Sequence, residues 1–325
     1  MAYSMNRKKF LAAASVMTIA SLRGTSLLQA AVNFGARHLP MIDTHQHLVD
    51  FERFGKAWSR PPVSGNFGME EYLEAMEGLN LRKAVYVEVG VSQERRHEEA
   101  LYAIELCEDK SNPTIAAVIK ADLYSEDFIS YMSQFKAHPC IKGIRGGFKS
   151  SEDILNKQII QNVRGLGSLN MGLDFSLQPT WFLAMSKLVE LCPETRFLIN
   201  HCGNVDPRAF IEPIGKFGMP DHNPDQWIAG MKAMAAHKNV ACKISGVGTR
   251  SPGYPLTAEN LGPAINQCLD IFGPDRVLFA ADWPWVLKTM DIKTWVNILK
   301  NVVARRSYRD QKKLFHDNAI KFYNI

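Results

Sequence analysis

The chain has 325 residues, 46% of them hydrophobic and 22% charged, the balance of a soluble globular protein with a large core. Its net charge of +5 comes from acids and bases mixed along the sequence. No basic stripe interleaved with aromatics stands out, which argues against nucleic-acid binding.

The first 31 residues do not read as fold. Asn6-Arg7-Lys8-Lys9-Phe10-Leu11 is a basic stretch, and residues 11–22 are apolar and small. That is the length of a signal-peptide core and too short to span a bilayer. The order Arg-Lys-x-Phe-Leu resembles a twin-arginine export signal with lysine in the second arginine position. Residues 1–31 are therefore expected to be an export signal directing the protein to the periplasm. Leu28-Gln29-Ala30 is a poor cleavage site, so removal of the leader and its retention as an anchor both stay open. No later segment is long and apolar enough to cross a membrane.

From residue 38 to 325 the pattern is regular. Strands are expected at 40–47, 83–89, 114–120, 140–145, 172–178, 196–201, 239–245 and 276–282. Several are almost continuously apolar, as parallel strands buried on both faces should be. Amphipathic stretches at 69–79, 93–110, 126–136, 154–169, 180–191, 224–237, 258–272 and 291–305 alternate with them, and a last one at 309–322 can close the bottom of a barrel. Eight strand–helix alternations predict an α/β fold of the (β/α)8 TIM-barrel type, as one domain. A doubly wound open sheet ranks second, because it would want a glycine-rich phosphate loop where this chain has His-Gln-His.

Met41-Ile42-Asp43-Thr44-His45-Gln46-His47 ends the first strand. Alternate side chains of a strand point the same way, so His45 and His47 project together, as a pair of metal ligands must. The other strand ends supply Glu88, Arg145, Gln178, His201, Lys243, Ser245 and Asp282. A barrel gathers these ends around one cavity. Six cysteines (Cys107, Cys140, Cys192, Cys202, Cys242 and Cys268) form no CxxC and read mainly as buried thiols; export would leave room for one or two disulfides.

The motifs Ile42-Asp43-Thr44-His45-Gln46-His47, Ile144-Arg145, Asn200-His201-Cys202-Gly203-Asn204, 240–246 and Phe272-Gly273-Pro274-Asp275-Arg276 leading into Ala281-Asp282-Trp283-Pro284 together resemble the amidohydrolase superfamily. The likeness is to its amidohydrolase-related branch of metal-dependent hydrolases and lactonases, and it spans residues 38–325. It implies that His45 and His47 are the strand-one metal pair and that His201 is the strand-six histidine. It makes Asp282 the proton shuttle and often a ligand, with Arg145 holding a polar substrate. Two departures matter. Strand four ends without an evident bridging lysine or glutamate, and strand five ends in Gln178-Pro179 rather than histidine.

The expected centre therefore holds at most one divalent metal, zinc first, drawn from His45, His47, His201 and Asp282. A metal-free site also stays open. Catalytic zinc takes about three protein ligands and leaves one position open. Asp282 and His201 are the expected catalytic pair. Arg145, Gln178 and Lys243 are the candidate substrate contacts, with Lys243 also read as a structural residue inside the barrel. The expected activity is hydrolytic opening of a cyclic ester, a sugar lactone or an aromatic-catabolism lactone. A metal-dependent decarboxylase of the same superfamily and a non-catalytic exported binding protein are the alternatives. The expected partner is a small molecule, and the sequence leaves a homo-oligomer open.

Overall fold

A computed structural model describes residues 39–55, 65–248, 251 and 253–325. The leader at 1–31 lies outside them, as do parts of the loops after the first and seventh strands. Pro40–Ile325 forms one compact unit, and among the described residues no helix is long and apolar enough to cross a membrane.

The strands are β1 (Met41–Gln46), β2 (Leu81–Val87), β3 (Thr114–Ile119), β4 (Ile141–Gly146), β5 (Gly172–Phe175), β6 (Arg196–Ile199), β7 (Val240–Ile244) and β8 (Val277–Phe279). They pair in parallel in sequence order. The main helices are α1 (Met69–Met76), α2 (Arg96–Glu108), α3 (Phe128–Ser133), α4 (Lys157–Ser168), α5 (Phe182–Leu191), α6 (Pro224–Ala235), α7 (Ala258–Phe272) and α8 (Ile292–Val302).

Side chains of alternate strand positions fill the barrel interior. Ile42, Val85, Val87, Ala116, Val118, Leu198, Ala241 and Leu278 pack there as one cluster. On β2 the intervening Tyr86 points outward and donates to Glu99 of α2, at 3.0 Å. The strands need no polar outer face because helices cover them.

The last segment winds through α9 (Tyr308–Lys312), a wide turn at Lys313–Asp317 and α10 (Asn318–Tyr323), and it caps the lower end. Asn318 donates to the carbonyls of Pro274 and Val277, both at 2.8 Å. Ala319 and Tyr323 plug the interior cluster.

β8 and β1 meet at their upper ends. Gln46 bridges to Trp283, the His47 N–H donates to the Trp283 carbonyl at 2.8 Å, and the Asp282 N–H donates to the His45 carbonyl at 3.1 Å. Thr44 Oγ1 donates to the Phe279 carbonyl at 2.7 Å. Asp43 pins the seam: Oδ1 accepts from the backbone of His45 at 3.0 Å and of Ala281 at 2.8 Å, and Oδ2 accepts from Tyr72 at 3.0 Å.

Helices 126–136, 154–169 and 180–191 each divide into a helix and a one-turn 3-10 segment. Strands five to eight are shorter than their apolar patterns, so Gln178, His201, Ser245 and Asp282 lie past the paired region. Past β6 and β8, His201, Cys202, Asn204 and Asp282 take left-handed φ values of 54°, 49°, 55° and 60°, which extended strand does not allow.

Candidate active site

The closing seam is also the site. His45 and His47 leave the top of β1, and Asp282 follows β8. Asp282 Oδ1 lies 3.7 Å from His45 Nε2 and 3.8 Å from His47 Nε2, while its Oδ2 lies 3.8 Å from His201 Nδ1. The rings of His45 and His47 meet edge to face at 4.7 Å, and those of His45 and His201 at 4.8 Å. Three imidazoles thus surround one buried carboxyl group.

Left-handed φ at the non-glycine residues His201 and Asp282 is uncommon and costs energy. At both positions it turns the chain sharply at the end of a strand. Gly246, at φ 63°, lies against His201: a Cβ there would stand 2.9 Å from Nδ1.

Each imidazole is held by a neighbour, His45 and His47 through the ring nitrogen that faces away from Asp282. His47 Nδ1 donates to the Val87 carbonyl at 2.8 Å, which leaves its Nε2 lone pair toward Asp282. His201 Nδ1 contacts Ser245 Oγ at 3.0 Å. His45 Nδ1 contacts Lys243 Nζ at 3.2 Å, and Lys243 in turn bonds Asp174 Oδ2 at 2.6 Å. A lone pair on His45 Nε2 requires the ring proton on Nδ1, with an uncharged Lys243 amine accepting it. Burial pushes Lys243 in that direction.

Burial dominates the electrostatics. It raises Asp282 to about 7, against the opposing pull of Arg145. It lowers His47 to about 3, with Arg145 adding to the effect. His45 and His201 also fall well below the usual histidine range, first because they are buried, and then through Lys243 and Arg145 respectively. These shifts all favour the neutral imidazole, the form a metal ligand must take.

His45, His201 and Asp282 offer donor atoms that all lie within 4.8 Å of one another. His45 Nε2 is buried without a hydrogen-bond partner, and an unmatched buried acceptor is costly. This donor set of imidazole nitrogen and carboxylate oxygen fits a divalent ion such as zinc. His47 flanks the trio on the Asp282 side, next to Trp285, with ring centroids 4.8 Å apart.

Arg145 ends β4 with Nη1 3.7 Å from Glu88 Oε1, and Lys120 Nζ approaches the same oxygen at 3.6 Å. Two cations share one carboxylate at the rim, and both are partly exposed. Gln178 is exposed at the head of the Pro179–Trp181 turn. Lys243 is fully buried and spends its contacts on Asp174 and His45.

Asp174 and Asp43 are two buried acids beside the site that the sequence reading passed over. A sequence signal existed for Asp174: an acid inside the apolar run Gly172-Leu173-Asp174-Phe175 has to find a cation, and Lys243 sits in a similar run.

The amidohydrolase family model matches residues 42–325. This chain belongs to the amidohydrolase family. It is an enzyme of that family, similar across 88% of its length to an uncharacterized protein, y4mH, from Sinorhizobium fredii, with 26% identity covering 99% of that protein. An L-fucono-1,5-lactonase from Burkholderia ambifaria is 25% identical to the amidohydrolase over 87% of this chain and 95% of its own. A zinc-bound amidohydrolase from Burkholderia multivorans shares the fold, with a TM-score of 0.73 at 18% identity, covering 88% of this chain and 99% of that one.

Proposed function

We propose that this amidohydrolase opens a cyclic ester, with Asp282 moving the proton. The observation that carries the reading is the buried Asp282 carboxyl, ringed by three imidazoles at 3.7 to 3.8 Å and pushed by burial toward neutral pH. A group that titrates close to neutral pH both accepts and returns a proton efficiently. The full-length likeness to an L-fucono-1,5-lactonase supports a lactone as the substrate class.

In this reading Asp282 takes a proton from the water that attacks the ring carbonyl. The carbon–oxygen bond of the lactone then breaks, and Asp282 gives the proton to the departing ring oxygen. The product is the open hydroxy acid. His201, steadied by Ser245, faces the developing oxyanion. Arg145 and Lys120 leave one positive charge in excess over Glu88, which favours a polar or anionic substituent on the substrate. His45, His201 and Asp282, with His47 beside them, would hold one divalent ion. Such an ion supplies Lewis-acid polarisation of a carbonyl and acidifies water. Lys243 and Asp174 act at one remove, by orienting His45. The basic and apolar leader supports export to the periplasm.

The test is a panel of sugar and aromatic-derived lactones, with acid release followed by indicator and carbon dioxide measured in parallel on aromatic acids. Acid release from a lactone that disappears in Asp282→Asn is the expected result. Carbon dioxide release without ring opening would replace the hydrolase with a decarboxylase. Ligand binding without turnover would leave a binding protein.

A further inference from the structure

All six cysteines are free thiols, and two groups of them touch. Cys242 and Cys268 bring their sulfurs to 3.4 Å, and Cys202 lies beside Cys268. These three are sealed in the core, with no exposed surface. Cys107 and Cys140 are placed differently. Cys107 lies in the last turn of α2, and Cys140 directly precedes β4. Their side chains lie close enough for each to perturb the other's titration. Both line a cavity of about 380 Å³ whose wall also carries His138, Lys142 and the C-terminal Asn324. This cavity opens at the lower end of the strands, away from Asp282. Cys140 is partly exposed, while Cys107 is 7% exposed.

We propose that Cys107 and Cys140 are a redox-active pair that closes to a disulfide on meeting a small-molecule or protein disulfide. Cys140 is the entry thiol and Cys107 the resolving one. Cys140 is the more exposed of the two, and its neighbour Cys107 pulls its thiol below the ordinary range, which favours the thiolate, the attacking species. With oxidised glutathione, the Cys140 thiolate attacks one sulfur, the glutathione disulfide breaks, and one glutathione thiolate leaves. Cys107 then gives its proton to solvent and attacks Cys140 in the mixed disulfide, which expels the second glutathione thiolate. Two protein thiols are oxidised and one external disulfide is reduced. The new bond ties α2 to β4 and restricts the unfolded chain.

The experiment uses the full chain, reduced and then incubated with glutathione disulfide. Remaining thiols are alkylated after denaturation, and non-reducing peptide maps are compared. The expected product links Cys107 to Cys140 and leaves the other four cysteines alkylated. The melting temperature rises by roughly 5 °C, and turnover at the Asp282 end is unchanged. Cys107→Ser is expected to retain one glutathione on Cys140, and Cys140→Ser to resist oxidation altogether. Six alkylated cysteines in the oxidised wild type would overturn the proposal. So would a link between Cys242 and Cys268 in its place, or a folded Cys107→Ser protein that takes up no glutathione.

Discussion

Lys243 on β7 and Asp174 on β5 join inside the barrel, Nζ to Oδ2 at 2.6 Å, with the same nitrogen 3.2 Å from His45 Nδ1. Burial raises Asp174 and lowers Lys243, so both shifts show an ion pair that is costly to hold in its charged form. Removing one partner strands the other. Asp174→Leu is expected to cost about 3–5 kcal/mol in urea unfolding. The double change Asp174→Leu with Lys243→Met should recover most of that stability without recovering activity, because His45 loses its support. A double variant as unstable as the single one would show that packing, not charge, is at stake.

Asp282→Asn isolates the proton transfer. Asn tolerates the left-handed φ of 60°, and the seam bond from residue 282 to His45 is made by backbone. The fold should survive, while kcat/KM drops by about 10²–10⁴. An active Asn variant would remove Asp282 from the mechanism.

Glu99 makes stability depend on pH. Burial, reinforced by the Glu88 charge, raises it from the ordinary 4.5 to about 7, although Tyr86 and Val89 donate to it. Between those values the folded protein keeps a proton that the unfolded chain has released. The stability this provides is therefore complete below about pH 4.5 and is lost as the pH rises to about 7. Melting curves of Glu99→Gln should gain on the wild type as the pH rises from 5 to 8. Parallel curves across that range would contradict the assignment.

Gly246→Ala should act through His201. The added Cβ would meet Nδ1 at 2.9 Å, and the residue would be forced to hold φ 63°. A loss of about 1–2 kcal/mol from the backbone is expected, together with a fall in activity larger than that seen for Gly253→Ala. Gly253 has a similarly positive φ but no neighbour within reach. Equal effects on activity at the two glycines would mean that His201 is not displaced.

Metal content tests the imidazole cluster directly. Protein purified without chelator should carry about one zinc or manganese per chain, and a His45→Ala/His47→Ala variant should carry none. Dialysis against a chelator should lower the melting temperature, because an ion bound only to the folded state stabilises it. Metal-free wild type with full activity would leave Asp282 to activate water without an ion.

The sequence determined the alternation of eight strands and helices and the residues that reach the upper rim. Both follow from local burial: an apolar run flanked by a helical period can hardly be placed otherwise in a parallel barrel. Only tertiary structure decided what the rim residues do. His45 and His47 project together as strand alternation requires, but the register shift of β1 between Asp43 and Gln46 shows only in the structure. The aim of His201 and Asp282 depends on left-handed turns, which neither residue type announces. Lys243 meets Asp174 because the stagger of the nearly closed barrel, a property of all eight strands together, sets which side chains share a layer.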